Sequence, residues 1–176
     1  MAEHDDERRL VLEARAGDRE AFGALVEMHW NRWVRLARSV VGEASAEDVV
    51  QESLLIGWRK LPRLSTPAAF GPWVTRIVYR RCLRSLRRRG PEASPESSPE
   101  PREAARSESA LWVEQLLAAL APRQRAVMHL TVVEGRTDRE IADLLGITSA
   151  SVRAHRRRGR QRLEKLIGEG HAGSIE

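Results

Sequence analysis

From Thr137 to Leu163 the chain reads TDREIADLLGITSASVRAHRRRGRQRL, and few folds accommodate residues in that order. Thr137 and Glu140 have capping-box spacing, in which the hydroxyl accepts from one orphan amide and the carboxylate accepts from another. A helix therefore starts at Thr137. Ile141, Leu144 and Leu145 share one of its faces, and Gly146 supplies the left-handed conformation that ends helices at little cost. Ile147 plugs the gap to a second helix, which Thr148 or Ser149 caps and to which Val152, Leu163 and Leu166 give a buried side. Two short helices around a tight turn form a helix-turn-helix.

The exposed face of the second helix carries Ser149, Ser151, Arg153, His155, Arg156, Arg157, Arg158 and Arg160. Side chains at the start of such a helix reach base edges in the major groove, while later arginines hold phosphates. A charge run alone is most simply a solvated face. Run, turn and cap together favour DNA binding.

The chain has 176 residues, enough for one medium domain or two small ones, and a formal charge of +5. That sum averages an acidic N-terminus (Glu3, Asp5, Asp6, Glu7) against two dense arginine clusters, and clusters matter more because a phosphate-binding face is a local field. Lysine occurs only at Lys60 and Lys165, so nearly all the positive charge is guanidinium, suited to bidentate phosphate and guanine contacts; a GC-rich genome would also favour arginine. Cys82 is the only cysteine, which excludes an internal disulfide and a cysteine metal cluster and fits a reducing, cytoplasmic home. No apolar run approaches the length that spans a bilayer, so no membrane insertion is expected.

Along the chain, a short helix is predicted from Arg8 to Arg15, with Gly17 as its stop and Asp18 as the next N-cap. A long amphipathic helix follows, with Phe22, Leu25, Val26, His29, Trp33, Leu36, Ala37 and Val40 on its apolar side and Gly42 closing it. His29 reads as a partly buried core residue. Ser45 and Asp48 repeat the capping signature and open a helix through Val49, Val50, Leu54 and Trp58 toward Pro62; its polar face is Glu47, Asp48, Gln51 and Glu52. Residues 62–67 (PRLSTP) form a loop, and Thr66 with Pro67 starts a helix to about Arg89. That helix packs through Phe70, Trp73, Val74, Ile77, Leu83 and Leu86 and exposes Arg76, Arg80, Arg81, Arg84, Arg87, Arg88 and Arg89 with no acid among them. Like charges at these spacings repel, and a polyanionic partner is the natural compensation. Residues 90–106 (GPEASPESSPEPREAAR) have no apolar periodicity and read as a flexible linker that leaves two helical domains independently free. Leu111, Trp112, Leu116, Leu117 and Leu120 form one further helix, and Ala126, Val127, Leu130 and Val133 another, bracing the helix-turn-helix. The expected fold is all-α, with domains at 1–89 and 108–168, a linker at 90–107 and a frayed tail at 169–176.

The ordered motifs ARAGDREAFGALV, SAEDVVQES, FGPWVTRIVYRRCLRSLRRR and LAALAPRQRAVMHLTVVEGRTDREIADLLGITSASVRAHRRRGRQRL resemble the two-domain extracytoplasmic-function sigma factors of the sigma-70 family, and within them the actinobacterial SigE-like group. The resemblance runs from about Val11 to Leu166. It implies that Asp48, Gln51 and Glu52 dock onto core RNA polymerase, reversing the default of a solvated face. It further implies that Arg63, Ser65, Trp73, Arg76, Arg80, Arg84, Arg87 and Arg88 open the minus-10 promoter element and hold its displaced strand. Unstacked bases need a pocket or platform and the phosphates a basic track; at helical spacing from Phe70 and Ile77, Trp73 is more often core than platform. Arg80 and Arg84 stand where many members have Asn and Asp, which favours phosphate contact there. Ser149, Ser151, Val152, Arg153, His155, Arg156, Arg157 and Arg160 are implied as readers of the minus-35 element. The implied partners are core RNA polymerase, promoter DNA and an anti-sigma factor, with no cofactor and no metal.

A promoter-specificity subunit is thus the leading reading. A freestanding helix-turn-helix regulator explains the second domain but leaves the first arginine helix without a purpose. An enzyme is disfavoured, since the chain has no Gly-rich phosphate loop, no spaced metal ligands and no nucleophile with its base.

Overall fold

In the computed structural model the backbone is described for residues 2–89 and 116–172, and side chains for residues 6–88 and 116–168. Among these residues the fold is helical throughout: α1 (Ala2–Arg15), α2 (Arg19–Val41), α3 (Glu43–Lys60), α4 (Phe70–Arg89), α5 (Pro122–Val132), α6 (Asp138–Leu145) and α7 (Ser149–Ala172). The expected linker and the helix through Leu111 and Trp112 lie outside the described residues, as does the side chain of Arg89.

α1 is longer than the expected Arg8–Arg15. Within it Arg9 pairs with Glu13 one turn on at 2.9 Å. Asp18 caps α2 as expected, its carboxylate accepting from the amides of Glu20 (2.8 Å) and Ala21 (3.1 Å). The predicted Ser45 cap is corrected. Gly42, at φ 84°, both ends α2 and starts α3, so Ser45 lies inside the first turn and is buried. Arg38 pairs with Glu43 across this corner at 2.6 Å. Thr66 likewise makes no side-chain cap; Pro67–Ala69 form a single 3₁₀ turn before α4. At the other end α7 runs on to Ala172, past the expected start of the tail.

The core of the first unit is built on two ladders. Trp33, Leu36, Ala37 and Val40 of α2 face Phe70, Val74, Val78 and Cys82 of α4, all essentially fully buried. Trp33 Nε1 donates to Thr75 Oγ1 (3.1 Å), which donates to the Gly71 carbonyl (2.8 Å), so the buried indole is satisfied. His29 is a core residue as expected. It stacks on Trp33 with centroids 5.1 Å apart, contacts Glu7 at 3.0 Å, and lies so close to Gly71 that a Cβ there would meet its Cε1 at 3.2 Å. Burial pushes the Cys82 thiol up to about 12, which makes it an inert packing group.

In the second unit α5 braces α6 and α7 through Ala126, Val127, Leu130, Ile141, Leu144, Leu145 and Val152. Gly159 lets α7 approach α5: a Cβ there would meet Met128 Cγ at 3.1 Å. The two units are in contact in this structure. α5 packs on α2, α6 packs on α4, and the buried apolar residues of both units form one continuous cluster.

Replacing Trp33 with Ala leaves a void at a fully buried site and should cost about 3–5 kcal/mol. Urea unfolding followed by circular dichroism measures it; a loss under about 1 kcal/mol would mean that the aromatic cluster does not organise this unit.

Candidate polymerase and nucleic-acid interfaces

The helix-turn-helix forms as its residues dictate. Thr137 Oγ1 accepts from the Glu140 amide (3.3 Å), and Glu140 Oε2 accepts from the Thr137 amide (2.9 Å) and hydroxyl (2.8 Å). These bonds, the Thr137 amide first and then its hydroxyl and Arg136, hold the Glu140 carboxyl down to about 2. Gly146 adopts φ 67°, ψ 44°, its amide donating to the Ala142 carbonyl at 2.9 Å. Thr148, not Ser149, caps α7: its Oγ1 accepts from the Ser151 amide at 3.1 Å and contacts the Ser151 hydroxyl at 2.9 Å.

On α7, Arg153, Arg157, Arg158 and Arg160 are exposed and Ser149, Ser151 and His155 half-buried. Val152 is corrected: it is fully buried beneath the turn, so its methyl groups cannot reach a base edge. Arg156 is half-buried and grips Asp138, the first residue of α6, in a two-pronged pair at 2.5 and 3.2 Å. Its guanidinium therefore ties the two helices together. His155 turns toward α4. With Arg158, Arg123, Gln124 and Pro122 it faces Leu83, Leu86 and Arg87 across a cleft of about 520 Å³ between the units. Burial first, then Arg158 and Arg123, lowers its pKa, so the ring is neutral at pH 7.

On α4 the residues Arg76, Arg80, Arg84 and Arg88 recur every four positions along one stripe, with Arg87 beside it and Trp73 at its head. Trp73 is half-buried and packs on Phe70 with centroids 6.4 Å apart. Arg63 and Ser65 are exposed on the preceding loop, which Leu61 and Leu64 anchor in the core. Arg84, Arg87 and Arg88 face solvent. Arg76 is half-buried and donates to the Asp143 carbonyl at the end of α6, while Arg80 is exposed, with its guanidinium alongside Gly146.

On α3, Asp48, Gln51 and Glu52 are all exposed. Glu52 also accepts from Arg81 of α4, through Nε at 2.6 Å and through Nη2. The arginine helix thus has an acidic neighbour that its own sequence lacks. Neither this pair nor Arg156–Asp138 is visible in helical periodicity, since the partners sit on different helices. A second hidden cluster joins the units: Glu134, 12% exposed, pairs with Arg32 of α2 at 2.8 Å and lies 3.7 Å from Arg136 and 3.8 Å from His129.

Two family models match the chain, sigma-70 region 2 over residues 25–92 and sigma-70 region 4 over residues 110–163. The ECF RNA polymerase sigma factor SigM of Mycobacterium tuberculosis is 33% identical over 162 residues, covering 90% of this chain and 83% of that protein. The chain is an extracytoplasmic-function RNA polymerase sigma factor of the sigma-70 family. The probable RNA polymerase sigma factor RfaY of Xanthomonas campestris is 33% identical over 166 residues and 84% of this chain, which spans 40% of RfaY's length. The solved structure of CnrH in complex with the cytosolic domain of CnrY superposes with a TM-score of 0.69 at 28% identity, over 93% of this chain and 98% of that one. As a sigma factor the chain binds RNA polymerase and promoter DNA and directs initiation; a freestanding regulator is not favoured. No described helix is long and apolar enough to cross a membrane.

Two measurements check the local chemistry. Because the folded Glu140 value is depressed, its contribution is fully present above its ordinary 4.5 and is lost as pH falls from there through about 2. Glu140→Gln keeps the capping geometry without the titration, so between pH 4.5 and pH 2 its melting temperature should fall less than that of the parent; equal acid slopes would remove the box from the account. For the Arg156–Asp138 pair, a double-mutant cycle of Asp138→Ala and Arg156→Ala should give a coupling of about 0.5–1 kcal/mol, as expected for a partly exposed two-pronged pair.

Proposed function

We propose that this sigma factor divides promoter recognition between its two arginine surfaces and docks on core RNA polymerase through α3. The carrying observation is the α4 stripe: a row of guanidiniums at four-residue spacing on the side opposite a row of fully buried residues. Such a row matches the phosphates of a single strand, and the exposed loop with Arg63 and Ser65 beside Trp73 offers a place for an unstacked base. Arg80 and Arg84 then serve as phosphate contacts. On α7, Ser149, Ser151 and Arg153 in the first turns read base edges in the minus-35 duplex, and Arg157 and Arg160 hold its backbone. His155, neutral and partly covered, takes a smaller share, and Arg156 acts through Asp138.

Asp48 and Gln51 provide the polymerase contact, with Glu52 reaching it once Arg81 releases its carboxylate. The units are assigned to residues 1–89 and 108–168, with residues 90–107 between them. The chain performs no covalent chemistry itself, works in the cytoplasm beside the nucleoid, and belongs with the SigE-like group on its motif order. An anti-sigma factor is a fitting partner, because CnrH was solved with another protein bound.

Purified chain mixed with core RNA polymerase should start transcription from members of a promoter library that neither uses alone. Arg153→Ala should change which minus-35 sequences are used, relaxing discrimination at one base pair by about 1–3 kcal/mol. Arg87→Ala should weaken open-complex formation on all promoters alike and lower the salt slope by about 0.7, the value for one single-strand phosphate contact. Uniform loss in both variants would end the division of labour. Asp48→Ala with Gln51→Ala should weaken polymerase binding while leaving the melting curve in place.

A further inference from the structure

The cleft of about 520 Å³ beside His155 has the build of a ligand site. Small-molecule sites enclose about 300–1,000 Å³ and combine apolar walls with a few convergent polar groups. Here Leu83 and Leu86 of α4 form one wall and Pro122 of α5 stands across from them. Arg87, Arg123 and Arg158 converge on the same space from α4, α5 and α7, and none of the described residues lining it is acidic. Three guanidiniums without a carboxylate call for a multiply charged anion, and each is a planar fork matched to phosphate oxygens. A single carboxylate on an acyl chain would suit the leucines and leave two cations uncompensated. Inorganic phosphates would suit the cations and leave the apolar walls facing water.

Behind the leucine wall a buried donor lacks its acceptor. Tyr79 lies one turn before Leu83 on α4 and is 2% exposed, and its hydroxyl has no hydrogen-bond partner among the described residues. Burial raises its pKa and the charge of Arg123 partly offsets this, so the phenol stays protonated and close to that guanidinium. A buried hydroxyl without a partner is costly, and an anionic oxygen held by Arg123 is an acceptor that satisfies it. Gln124 and the neutral His155 ring add groups that both donate and accept, as the edge of a heterocyclic base requires.

We infer that the cleft is a binding site for a nucleoside polyphosphate, with the base between the leucines and Pro122 and the phosphates on Arg87, Arg123 and Arg158. Tyr79, Arg123 and Arg158 are left unassigned by the proposed division of promoter recognition, and this site gives them a common role. The ligand touches both units, so its concentration bears on how they are placed relative to one another.

Isothermal titration calorimetry of the full chain with GTP, ATP, inorganic tripolyphosphate and guanosine tests the assignment. At least one of the two nucleotides should saturate the chain below about 1 mM, and tripolyphosphate and guanosine should each bind about tenfold more weakly or less. Arg123→Ala should weaken nucleotide binding about tenfold and Tyr79→Phe about fivefold, as the loss of a charged and of a neutral hydrogen bond implies. Arg160→Ala, on α7 but outside the cleft, should bind nucleotide as the parent does. Arg158→Ala repeats the first test should Arg123→Ala fail to fold, which melting curves show. No saturation by either nucleotide overturns the site. Tripolyphosphate binding as tightly as nucleotide removes the base from the account and overturns the nucleotide assignment. An equal loss in Arg160→Ala and Arg123→Ala traces binding to diffuse positive charge and overturns the cleft.

Discussion

Everything in this molecule turns on the two demands placed on α4. Phe70, Val74, Val78 and Cys82 form one four-residue ladder, fully buried; Arg76, Arg80, Arg84 and Arg88 form another, displaced by about half a turn and wholly cationic. The apolar ladder fixes the helix against α2 and α3 and so fixes where the cations point. Stacked guanidiniums repel along the helix, and the apolar burial behind them is what holds them at this spacing. The helix is a rigid mount for charge that would otherwise spread. Its neighbours relieve part of the repulsion: Glu52 takes Arg81 on the α3 side, and the end of α6 takes Arg76.

Local signals made most of the secondary structure legible. The capping box at Thr137 and Glu140, the left-handed Gly146, the Asp18 cap and the glycine after Val41 all act within one turn of chain, and all four appear where the residues put them. The errors have a common cause. Ser45 and Thr66 are cap-type residues at plausible positions, but Gly42 turns the chain before Ser45 is reached, and Pro67 imposes a 3₁₀ turn after Thr66. Val152 sits at a position that suits a buried side and a reading face equally in sequence; helical geometry allows only one, and packing beneath the turn makes it buried.

Tertiary pairs were the part that periodicity could not supply. An arginine on an exposed face looks the same in sequence whether it meets solvent, phosphate or a carboxylate from another helix. Arg156 differs from Arg157 only because Asp138 lies across from it, eighteen residues earlier on α6. Arg81 differs from Arg84 only because α3 brings Glu52 alongside. In both cases the pair removes one cation from the pool available to DNA and uses it to position the rest. The cluster of Arg32, Glu134, Arg136 and His129 is harder still to foresee, since it exists only where one unit meets the other.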